Sequence, residues 1–157
     1  LPPMSNLSKR DKVSLCYGYG LQTTLIELVN AYSIFYSEGK LRPLSLIVNN
    51  SSEDTEQIIS PDLSIKMKDM LTDAVRKGTG SKAKVKGIDI SGKTGTVQKL
   101  GEKGYKEVSH NALFIGQASS ENRNLIVGII VRDAQKNGSG GGDVAAPSFA
   151  RFINKVY

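Results

Sequence analysis

At 157 residues, 39% hydrophobic and 23% charged, the chain fits one ordinary domain, or a large piece of one, with a real core. Its formal charge of +6 does not read as nucleic-acid binding, because the lysines are dispersed and few aromatics accompany them. A single cysteine, Cys16, excludes an internal disulfide and a cysteine metal cluster; it is expected to be a small buried thiol.

The opening LPPMSNLSKRDK is polar and proline-bearing, so residues 1–12 are expected to form a loop or linker. This stretch lacks the apolar core of a signal peptide, and no apolar run approaches the roughly 20 residues needed to span a bilayer. With no initiator methionine, the chain is expected to be a processed or excised piece whose export signal or anchor lies upstream. Thr24 and Glu27 form a capping box ahead of an apolar stripe of Leu25, Leu28, Val29, Tyr32 and Phe35, predicting a helix that ends near Gly39. NNSSEDTEQ, residues 49–57, reads as a solvated loop. Ser60 and Pro61 supply an N-cap and first-turn proline for a second helix. Its predicted face is Leu63, Met67, Met70, Leu71 and Ala74, with both methionines as core fillers, and Arg76, Lys77 and Gly78 end it.

After Gly87 the period changes to two. Ile88 and Ile90 alternate with Asp89 and Ser91, predicting a strand that runs into Lys93. ALFIG (112–116) and LIVGIIV (125–131), separated by the turn SSENRN, predict the second and third strands of an antiparallel meander. The loop NGSGGGD lacks the Gly-Lys-Ser/Thr of a phosphate cradle and reads as a connection near a cleft. It leads to a helix around Pro147 with Phe149, Phe152, Ile153 and Val156 on one face. His110, the one histidine, reads as a surface or strand-end residue, since a single imidazole makes no ligand set.

The chemistry concentrates in ISGKTGTVQ, residues 90–98. Side chains alternate along a strand, so Lys93 and Gly95 point one way and Thr94 and Thr96 the other. An edge position and strand twist could bring both sets to one cleft. Lys93 supplies a positive field, the threonine hydroxyls supply donors for a carboxylate, and the missing side chain at Gly95 would let a peptide backbone approach as an added strand. On these four residues alone an ordinary strand with a solvated lysine and β-prone threonines is the favoured reading, because short motifs recur by chance.

Five successive stretches decide between those readings. YGYGLQTTLIELVNAYSIFYSEGKLRPLSLI, ISPDLSIKMKDMLTDAVRKGTG, ISGKTGT, HNALFIGQAS and GGGDVAAPSFARFI resemble, in order, the blocks of the penicillin-binding proteins, specifically the class B, division-type (FtsI-like) D,D-transpeptidases. The resemblance implies an α+β fold, the C-terminal portion of the penicillin-binding protein and serine β-lactamase-like fold, with residues 1–157 forming the C-terminal part of the transpeptidase domain. It implies a serine acyl-enzyme that cross-links peptidoglycan stem peptides in septal wall synthesis and is acylated by β-lactams. Lys93 would organise the proton network and the anionic substrate. Thr94 and Thr96 would hold the carboxylate of a D-Ala-D-Ala peptide or a β-lactam, and Gly95 would complete the substrate-binding strand. The backbone N–H of Thr96 would be one oxyanion donor, a type of contact whose loss costs about 2.7 to 4 kcal/mol in acyl transfer. No cofactor or metal is implied, and no nucleic acid. Membrane proteins of the divisome would be partners of the full-length protein, at the periplasmic face of the bacterial cytoplasmic membrane.

Only the third of the family's motifs is matched. Ser37 with Lys40, and Ser81 with Lys84, spell Ser-x-x-Lys, but the first falls at a helix end and the second in a loop, where the helical turn that presents both side chains together is missing. Ser120 with Asn122 spells Ser-x-Asn inside a hairpin turn. All three read as coincidence, so the nucleophile is expected outside this chain. Tyr17 stands where the family's Gly-Tyr-Gly turn has a smaller residue. The family strand that pairs with residues 125–131 comes from earlier in the domain, so an open edge there predicts a dimer, a strand-swapped assembly or a co-purifying N-terminal fragment. A non-catalytic β-lactam or peptide sensor and a class D type β-lactamase fragment are the alternatives.

Overall fold

Ser8 accepts the Asp11 N–H at 3.2 Å, and the Asp11 carboxylate returns to the Ser8 N–H at 3.2 Å. That reciprocal capping box starts a helix, α1 (Lys9–Leu15), inside the stretch expected to be a loop. No residue of α1 is buried, so the apolar stripe that signals a helix is missing and the cap carries the local information. Cys16, expected to be buried, is instead exposed at the C-terminal end of this helix, which packs no face into the core. The structure, a computed structural model, describes residues 7–16, 18, 21–46, 55–98, 110–134 and 140–157. Expectations for Tyr17, for most of the loop at 49–57 and for residues 137–139 of the glycine-rich loop lie outside the described residues.

The Thr24–Glu27 box caps α2 (Leu25–Ser33). Its backbone hydrogen bond to Thr24 is the main cause holding the Glu27 carboxyl below its ordinary value, with the Thr24 and Thr23 hydroxyls adding to it. A 3₁₀ turn (Ile34–Tyr36) follows, and the chain reverses at Gly39, φ +83°, where a β-carbon would run into the Ile59 carbonyl. Two short strands, β1 (Lys40–Leu41) and β2 (Glu56–Gln57), then pair antiparallel.

Ser60 and Pro61 open α3 (Pro61–Arg76) as their sequence requires. Its inward face is rotated from expectation: Ser64, Leu71 and Val75 are buried, while Leu63 and Met70 are 45% and 62% exposed. Met70 is therefore not a core filler, although Met67 is half-buried. The small Ser64 lets α3 approach the preceding turn closely, its hydroxyl donating to the Phe35 carbonyl at 3.1 Å; a larger residue there would push the helix away.

The predicted meander forms. Strands β3 (Asp89–Gln98), β4 (His110–Ser119) and β5 (Asn124–Ala134) make an antiparallel sheet in the order β3-β4-β5. The register sets Lys93 opposite Ile115, Thr94 opposite Phe114, Gly95 opposite Leu113 and Thr96 opposite Ala112. One face carries Ile90, Ala112, Phe114 and Ala118 into the core. A π-helical turn (Gly141–Ala145) and α4 (Ala146–Val156) cover that face. Phe114 and Phe149 stack tilted at 4.7 Å between ring centroids. Of the predicted α4 face, Phe149 and Ile153 are fully buried, but Phe152 is 43% exposed; Ala146 and Ala150 take the inward positions instead. On the opposite face α2 lies so close to β5 that a β-carbon at Gly128 would meet Val29 at 2.7 Å and Leu25 at 2.9 Å. The result is an α+β arrangement with helices on both faces of the sheet.

Candidate functional site

The two threonines of the β3 motif share a face and open on a cleft of about 370 Å³ lined by Thr79, Ser81, Lys82, Thr94, Thr96 and residues 140–143. Thr94 Oγ1 lies 2.7 Å from Thr79 Oγ1, at the turn after α3, and either hydroxyl can donate. Thr96 Oγ1 accepts the Gly141 N–H at 3.0 Å. An oxygen that accepts from an amide keeps its own proton for another partner, so the Thr96 hydroxyl is disposed to donate into the cleft.

Lys93 is exposed on the alternate face of β3, and its Nζ donates to the Thr94 carbonyl at 3.0 Å. The ammonium thus folds back over the strand that bears the hydroxyls, keeping a positive charge beside them without lining the cleft. At Gly95 a β-carbon would meet Leu113 Cβ and Cδ2 at 3.3 Å. Its missing side chain is therefore filled by a neighbour across the sheet. The backbone that does approach Gly95 is the chain's own: a β-carbon at Gly141 would come within 2.5 Å of the Gly95 and Leu113 carbonyls. β3 is an outer strand of its sheet among the described residues, with its Thr94 carbonyl taken up by Lys93, and an outer strand is the place where a peptide can add as a further strand.

None of the chance Ser-x-x-Lys and Ser-x-Asn spellings brings its two side chains together in the cleft. Ser37 donates to the Ser33 carbonyl at 2.8 Å, with Lys40 in β1. Ser81 lines the cleft from a 3₁₀ turn (Ser81–Ala83), but Lys84 turns away and donates to the Arg76 carbonyl at 2.9 Å. Ser120 closes the β4–β5 turn through its N–H to the Arg123 carbonyl. His110 is the first residue of β4, at the strand end as expected.

Sequence reading missed Thr79, Lys82 and Asp143. Lys82 Nζ meets Asp143 Oδ1 at 2.6 Å across the cleft mouth, a contact between positions 61 apart that no local pattern reveals. The signal for Thr79 was present only as a small hydroxyl between the glycines that end α3.

The penicillin binding protein transpeptidase domain matches the chain over residues 4–154. A probable peptidoglycan D,D-transpeptidase, PbpC of Pseudomonas aeruginosa, is 33% identical over 154 residues, covering 98% of this chain and 27% of that protein. The peptidoglycan D,D-transpeptidase FtsI of Buchnera aphidicola subsp. Baizongia pistaciae is 32% identical, covering 95% of this chain and 27% of that protein. The apo transpeptidase domain of penicillin-binding protein 3 from Burkholderia pseudomallei superimposes with a TM-score of 0.87 at 29% identity, over 99% of this chain and 48% of that one. The chain thus spans about a quarter of the length of these curated relatives and about half of the solved domain. With the match running through every described element and through the Lys-Thr-Gly-Thr strand, the chain belongs to the penicillin-binding protein transpeptidase-domain family.

Proposed function

We propose that this chain forms the Lys-Thr-Gly wall of a peptidoglycan D,D-transpeptidase. The observation that carries the reading is the pair of hydroxyls, Thr94 and Thr96, on one cleft face, with the Thr96 oxygen engaged by the Gly141 N–H and its proton left to donate. A terminal carboxylate of a D-Ala-D-Ala stem peptide fits that arrangement, because ionised acceptors make the strongest hydrogen bonds to such donors. Lys93 adds a positive field from the same strand.

In this reading a serine Oγ attacks the carbonyl of the penultimate D-alanine. The peptide bond breaks, the terminal D-alanine leaves with the proton, and an amine of a second stem peptide then takes the acyl group and frees the serine. A β-lactam is attacked at its ring amide, but the opened ring stays attached, so the acyl-enzyme persists. The described serines carry none of the geometry this step needs beside Lys93, so the nucleophile is assigned to a segment other than these residues. Septal wall synthesis, divisome membrane partners and a periplasmic, membrane-anchored location belong to the same proposal, supported by the likeness to FtsI. Self-association through the outer edge of β5 is a further part of it.

Fluorescent-penicillin labelling tests the reading. The chain alone is expected to stay unlabelled, and to take part in a labelled species once joined to a transpeptidase segment bearing Ser-x-x-Lys and Ser-x-Asn. Stoichiometric labelling of the 157-residue chain by itself would overturn the assignment of the nucleophile.

A further inference from the structure

Two walls of the cleft are joined by an ion pair, Lys82 with Asp143, and by close packing of Gly142 on Thr79. The first wall is the turn after α3: Thr79, whose hydroxyl contacts Thr94, followed by Lys82 in the 3₁₀ turn. The second is residues 140–143, where Gly141 donates to Thr96 and a β-carbon at Gly142 would meet the Thr79 carbonyl at 2.6 Å. Within the second wall the N–H groups of Asp143 and Val144 both bond to the Gly140 carbonyl, at 3.0 and 3.1 Å. Asp143 and Gly141 therefore belong to one hydrogen-bonded turn, in which Gly141 also packs against the Gly95 and Leu113 carbonyls. Lys82 Nζ, 2.6 Å from Asp143 Oδ1, ties this turn to the turn after α3.

We infer that Lys82 and Asp143 are positioning residues: their ion pair holds the Gly141 N–H on Thr96 Oγ1, so that the Thr96 proton faces a carboxylate in the cleft. This inference rests on the transpeptidase reading for the identity of the ligand. The two side chains are 58% and 47% exposed, so the pair adds little to overall stability and is screened by salt. Its function is local order. Through Thr79, the same stitch also restrains the partner of the Thr94 hydroxyl.

A direct electrostatic role would behave differently. If Lys82 simply attracted the carboxylate, removing Asp143 would strengthen binding and removing Lys82 would weaken it. Positioning requires both losses to act in the same direction.

The probes are N-acetyl-D-alanyl-D-alanine and its C-terminal amide, titrated into the chain by NMR, with hydrogen exchange followed at the Gly141 amide. Lys82→Gln and Asp143→Asn are each expected to speed Gly141 exchange and to lower the preference for acid over amide by at most about fivefold, the range of an exposed ion pair. The charge-swapped double variant, Lys82→Asp with Asp143→Lys, is expected to restore both readouts. At about 1 M salt the wild-type chain should approach the single variants. Melting temperatures confirm that the variants fold. Opposite signs for the two single variants, unchanged Gly141 exchange, or no recovery in the swap would each overturn the inference. A wild-type chain that does not distinguish acid from amide would instead overturn the carboxylate-cleft reading, while exchange at Gly141 still decides for or against the stitch.

Discussion

The fold commits the hydroxyls of Thr94 and Thr96 differently. Thr96 is tied to a backbone amide that can only donate, so its direction as a donor is set; Thr94 shares a proton with another hydroxyl, whose direction can reverse. Thr96→Val is therefore expected to slow acylation of the assembled enzyme by penicillin more than Thr94→Val does, by about 1.5 to 3 kcal/mol, the range for a hydrogen bond to a charged group. Thr96→Ser, which keeps the hydroxyl, should stay near wild type; second-order acylation rates check both. On the other side of β3, Tyr36 donates to the Ser91 carbonyl at 3.2 Å and accepts the Ser91 hydroxyl at 3.1 Å. Burial pushes its phenol from 10.0 up to about 12. A raised value means the folded state keeps a proton that the unfolded state loses, so the stability it lends is intact below pH 10 and is lost as pH rises toward 12. The loss should reach about 2 to 3 kcal/mol. Urea midpoints at pH 9 and pH 11.5 should show a fall that Tyr36→Phe reduces, the remainder including Tyr32, whose phenol burial also raises. The candidate residues at 93–96 were legible because a strand motif is contiguous in sequence. Lys82 and Asp143 were not, because their partners arrive through the fold.

Helices illustrate where periodicity succeeds and where it fails. Caps placed α2 and α3 correctly, since a capping hydroxyl and its amide partner lie within one turn. Inward faces were harder. Leu63, Met70 and Phe152 have the right chemistry for a core but lie off the buried centre of their helices, and Ser64, Ala146 and Ala150 take those places because close packing favours small residues where an element approaches its neighbour. The difference should be measurable: Phe149→Ala is expected to cost about 3 to 5 kcal/mol, whereas Phe152→Ala should cost less than about 1.5. Chemical denaturation of the two variants compares them directly. α1 is the converse case, a helix written in a cap with no apolar stripe behind it.

At the scale of the molecule the sheet has two outer strands with different prospects. β3 carries the cleft, and its open side fits an added peptide strand. β5 has no strand on its outer side among the described residues, and its half-buried run 125–129 ends at Ile130, 40% exposed. An uncapped apolar edge favours pairing with another chain, so the chain is expected to self-associate, and Ile130→Lys to weaken that association. Light scattering showing wild-type monomer at high concentration would remove the basis for this expectation. Taken alone, the sequence determined the starts of α2 and α3, the meander, the motif strand and the closing helix, because periods of two and 3.6, caps and a contiguous motif are local properties of a chain. The tertiary structure decided which apolar residues are core and which hydroxyls share the cleft. It also decided that Lys82 meets Asp143. Those outcomes depend on how helices rotate against the sheet and on contacts between residues far apart in sequence, which only packing in three dimensions resolves.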